Sequence, residues 1–97
     1  MQADTMNQFL NILSELAEQD AYSENERKKF ADLAMSLAKV KEQSEKMYSD
    51  IQQLLKSADE IGNKELCQCI YEMNFQISEE MNILEWSQSC AERLAKK

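Results

Sequence analysis

One glycine and no proline in 97 residues leave almost no means of building a sheet. β-Hairpins need residues that accept positive φ or preset it, and Gly62 alone supplies that freedom. The chain is therefore expected to be all-α. Hydrophobic residues make up 43% of it and charged residues 30%. That is enough apolar surface to offset ordering entropy, and it argues for a folded chain rather than a disordered one. The length suits one helical domain spanning residues 1–97.

The apolar spacing places three helices. Helix 1 is expected over about 3–20, capped by Asp4 or Thr5, with Met6, Phe9, Leu10, Leu13, Leu16 and Ala17 on one stripe and Ile12 widening it. Ser23-Glu24-Asn25-Glu26 reads as a capping box that opens helix 2. Helix 2 then runs over about 24–61 with a sustained heptad. Phe30, Leu37, Ser44, Ile51 and Ala58 repeat at one position, and Leu33, Val40, Met47, Leu54 and Ile61 at another, three residues later. Gly62-Asn63 ends helix 2 and caps helix 3, expected over about 64–95. Its main stripe is Leu66, Ile70, Met73, Ile77, Leu84, Ala91 and Ala95, helped by Met81. So short a link makes helices 2 and 3 a long antiparallel, coiled-coil-like hairpin, and with helix 1 the chain becomes a three-helix bundle.

Helix 3 carries a second apolar face: Tyr71, Phe75, Ile83, Trp86 and Cys90. A helix apolar on two sides needs two neighbours. Helix 1, about 26 Å long, folds back from the start of helix 2, which is about 55 Å long. It can reach Ile83, Trp86 and Cys90 but stops short of the turn. Tyr48, Leu55, Tyr71 and Phe75 are then expected to stand exposed near the tip, where clustered apolar groups mark an interface.

Catalytic and cofactor chemistry finds little to use. There is no histidine, so Ser-His or Cys-His catalysis and His-bearing metal sites are excluded. Cys67 and Cys69 point about 200° apart on a helix, and Cys90 lies about 31 Å further along, so the three cannot converge on a metal. Cys67, near a helix start, is the least inert of them. Glu79-Glu80, Asp59-Glu60 and Glu15 with Glu18 fall on solvent faces, except Glu80 at the edge of the helix 3 stripe, where a lysine of helix 2 is expected to meet it. Met47, Met73 and Met81 read as core filling. Ser44 in the heptad either fixes register or is simply tolerated. No phosphate-binding loop and no calcium loop is present. No cofactor, metal or small-molecule substrate is expected, and the chain is not expected to be an enzyme.

Net charge is −7, and the single basic run, Arg27-Lys28-Lys29, is flanked by Glu24 and Glu26. Nucleic acid and anionic membranes are therefore poor partners. The N-terminal sequence lacks the basic and apolar regions of a signal peptide, so a cytoplasmic location with reduced cysteines is expected. The length and hairpin pattern invite comparison with secreted helical-hairpin proteins that carry Trp-x-Gly in the turn. Here the turn is Glu60-Ile61-Gly62, and that family is excluded. In shape alone the chain resembles the small acidic helical chaperones of bacterial type III secretion, which clamp aggregation-prone helices.

These features point to a non-enzymatic protein–protein interaction module: a small chaperone, adaptor or assembly subunit. Its partner is expected to be another protein's helix or a second copy of the chain, as a homodimer, with Tyr48, Leu55, Tyr71 and Phe75 as anchors. The alternative is an acidic regulator or inhibitor that binds a basic face of a target protein.

Overall fold

The structure is a computed structural model and describes residues 3–19 and 21–97. Among them, three helices account for the regular structure: α1 (Ala3–Ala17), α2 (Glu24–Ile61) and α3 (Lys64–Lys96). The two long helices form an antiparallel hairpin, and α1 packs on α3 at the open end. The molecule is elongated, 57 × 20 × 14 Å.

Local chemistry sets the boundaries. Ser23 Oγ accepts from the Glu26 N–H at 3.1 Å, and the Glu26 carboxylate accepts from the Ser23 N–H at 3.0 Å. This reciprocal box satisfies two amides that the first turn leaves free. It also holds the Glu26 carboxyl below the usual range, chiefly through the Ser23 backbone bond and then its hydroxyl. At the tip, Gly62 adopts φ 79° and donates to the Ala58 carbonyl. Asn63 Oδ1 accepts from the Leu66 N–H at 3.0 Å, so one helix ends and the next begins within two residues.

Helix α1 differs from the expected span at both ends. Asp4 and Thr5 lie inside its first turn rather than at the cap. The helix stops at Ala17, and the predicted end at Asp20 lies outside the described residues. Tightened i→i−3 bonds close the last turn, from Glu18 N–H to Glu15 and from Gln19 N–H to Leu16. The Tyr22 hydroxyl also donates to the Leu16 carbonyl. Tyr22 then meets Phe30 edge-on, with centroids 5.1 Å apart, which fixes the reversal into α2.

The core falls into two clusters. The larger lies where three helices meet and contains Met6, Leu13, Leu37, Leu84, Ala91 and Leu94. The smaller lies toward the tip and holds Ile51, Ala58, Ile70 and Ile77, with Tyr48, Leu55 and Cys67 packed against it. Between them the seam turns polar at half-buried Ser44 and Glu80. No lysine of α2 pairs with Glu80. Lys41 instead lies 3.9 Å from both Glu45 and Glu85.

Candidate functional site

The expected site residues do not form one surface. Tyr71 and Phe75 are exposed, Phe75 by 65%. Tyr48 and Leu55 are only half-buried and belong to the distal core rather than standing clear of it. Trp86, expected beneath α1, is 59% exposed, whereas Ile83 and Cys90 are buried there. Phe75 and Trp86 are eleven residues apart, so they share the outer face of α3.

The heptad rows of α2 explain the difference. Leu37, Ile51 and Ala58 are buried in the seam as expected, but Val40, Met47, Leu54 and Ile61 are not. Exposure in that row reaches 69% at Ile61, against 38% at Val40. A hairpin alone buries one row and its neighbour on one side. In α2 that neighbour is Tyr48 and Leu55, one residue beyond Met47 and Leu54. The other side needs a third helix, and α1 supplies one only at the open end. Helix α3 behaves alike: Ile70, Ile77, Leu84 and Ala91 are buried, while Leu66 and Met73 are exposed.

The result is an uncovered apolar row in line with α1. Met6, near the start of α1, borders a groove of about 390 Å³ that continues between α2 and α3 past Met47, Ile51, Met73 and Ile77. Beyond it lie Leu54, Ile61 and Leu66, all exposed. From Met47 to Ile61 this stretch runs about 21 Å. On the opposite side of the hairpin, Gln52 Nε2 donates to Asn74 Oδ1 and ties the two helices in register. Tyr71 and Phe75 stand about 200° from Met73 around α3, so they are not part of the row.

A smaller cavity of about 300 Å³ sits beneath α1, where Met6 and Phe9 face Leu37 and Val40. Ser87 lines it, 1% exposed, and its hydroxyl has no hydrogen-bond partner.

The cysteines stay apart. Cys67 Sγ donates to Asp59 Oδ1 at 3.3 Å. Partial desolvation and then the Asp59 carboxylate raise its pKa, so it is less thiolate-like than a free cysteine. A position near the start of α3 predicts the reverse; desolvation first, and then the carboxylate near the end of α2, outweigh it. Cys90 is buried within 3.2 Å of Arg93 Nη2. Among the described residues no group of His, Cys, Asp or Glu could hold a metal ion. No helix among them is long and apolar enough to cross a membrane.

Met47, Leu54, Ile61, Leu66 and Met73 are the exposed apolar residues of this row, although heptad spacing alone places them in the core. Their signal was the length of α1. A heptad row in a three-helix bundle is covered only as far as the third helix extends. Comparisons with known protein families, with curated proteins and with solved structures found no match.

Proposed function

We propose that this chain is a non-enzymatic protein–protein interaction module, a small chaperone, adaptor or assembly subunit, that buries a helix of another protein or a second copy of itself against the distal hairpin. One observation carries the reading. The row that α1 covers at the open end continues uncovered through Met47, Leu54, Ile61, Leu66 and Met73. Together these five expose roughly 500 Å² of mostly apolar surface, the size of the largest patches found on monomers, and such patches are often functional. Recognition is of the helix-in-groove kind, with apolar anchors at heptad spacing.

Site-specific photo-crosslinking in cells tests it. A crosslinker at Leu54 should give a discrete conjugate that one at Lys56 does not. Equal yields from both positions, or none from Leu54, would remove the reading.

A second reading rests on Glu65, Glu72 and Glu79, exposed and seven apart on α3. An acidic regulator that uses this edge would hold a basic target in a complex that weakens steeply with salt, whereas an apolar clamp would not.

A further inference from the structure

We propose that the occupant of the distal face is a second copy of this chain, docked antiparallel so that the two distal hairpin halves form a four-helix bundle; this rests on the interaction reading above. Three features select this partner and orientation. First, α1 lies on the same face as the uncovered row. Two copies packed in parallel would bring their α1 helices together and hold the distal halves apart. Antiparallel overlap of the distal halves alone avoids that clash, and it brings the tip of each copy to the start of α1 in the other.

Second, the area is in the range of a specific interface. Roughly 500 Å² of mostly apolar surface per copy, about 1,000 Å² over the pair, reaches the lower bound of a specific interface before the polar rim is counted. Exposed residues at one heptad position on both helices are the pattern that a four-helix core requires.

Third, the rim charges complement one another under that symmetry. A two-fold axis beside Leu54 places Lys46 of one copy within about one helical turn of Glu60 of the other, twice per dimer. Both residues are exposed, and neither has an ion-pair partner among the described residues. They are fourteen residues apart, about 21 Å along one helix, so they cannot pair within a chain.

Sedimentation equilibrium on the full chain at micromolar concentrations tests the arrangement. The wild type should show twice the 11.3 kDa chain mass. Lys46→Glu or Glu60→Lys alone should raise the dimer Kd about tenfold, because two attractions become two repulsions. The double variant Lys46→Glu with Glu60→Lys should restore the wild-type Kd. Both sites are exposed, so the variants should keep wild-type circular dichroism. A chain mass of 11.3 kDa at every concentration, or a double variant no tighter than the singles, overturns the proposal. The Leu54 crosslinker then separates the two levels. A monomer that crosslinks from Leu54 to a different polypeptide removes the dimer and leaves the module; a monomer that gives no Leu54 conjugate removes both.

Discussion

Leu94 and Trp86 lie eight residues apart on α3, and the fold assigns them opposite energetic weights. Leu94 is 0% exposed in the three-helix core; Trp86 is more than half exposed on the outer face. Leu94→Ala removes three buried carbons, worth about 2.4 kcal/mol of transfer free energy. The cavity left behind raises the cost to about 3–4 kcal/mol. A chain of this length has about 5–10 kcal/mol of stability in total, so the loss is severe. The thermal midpoint should fall by about 15 °C. Trp86, 59% exposed, has only roughly 100 Å² of its surface covered, so Trp86→Ala should cost about 1–2 kcal/mol, less than Leu94→Ala although tryptophan is the larger residue. Urea denaturation followed by helical circular dichroism measures both, on dilute protein so that association contributes nothing. If Trp86→Ala costs as much as Leu94→Ala, α1 lies over Trp86 and the packing described here is wrong.

Three further outcomes follow from local chemistry. The depressed Glu26 carboxyl stabilises the fold above its unfolded pKa, and that contribution is lost as pH falls through the folded value. Wild type should therefore be more stable than Glu26→Gln at neutral pH, and the gap in urea midpoint should close in acid; a gap unchanged by pH would refute the capping role. Gly62→Ala should cost about 1 kcal/mol from backbone strain alone, since φ is 79° and an added Cβ meets nothing within 4 Å, and Gly62→Asn should recover part of it. Iodoacetamide should alkylate exposed Cys69 faster than Cys67, and Asp59→Asn should speed Cys67; equal rates in both proteins would contradict the thiol–carboxylate bond.

Most of the architecture was legible because each boundary has a local cause. The capping box at Ser23 and the left-handed Gly62 followed by Asn63 are short-range signals, and they appear where the sequence places them. The end of α1 was less legible, because it depends on Tyr22 reaching back to a carbonyl six residues away. The uncovered apolar row was legible only in part. Heptad periodicity shows which residues share a face, but not how many neighbours that face meets along its length. Met47 and Leu13 look equally core-like by spacing. Leu13 is buried between helices, whereas Met47 lies beyond the reach of α1. Tyr48 and Leu55 were displaced for the same reason: without a third helix, the hairpin draws in the row next to its seam. Trp86 failed differently, since about 100° per residue does not resolve which side of a second apolar face the short helix will take.

Association through the row beyond α1 and association through the aromatic outer face of α3 make different demands on single residues. Light-scattering mass on wild type, Leu54→Glu and Phe75→Glu separates the two. Docking through the row gives twice 11.3 kDa for wild type and for Phe75→Glu, and 11.3 kDa for Leu54→Glu. A dimer that Phe75→Glu dissolves and Leu54→Glu leaves intact would place the contact on the outer face of α3 instead.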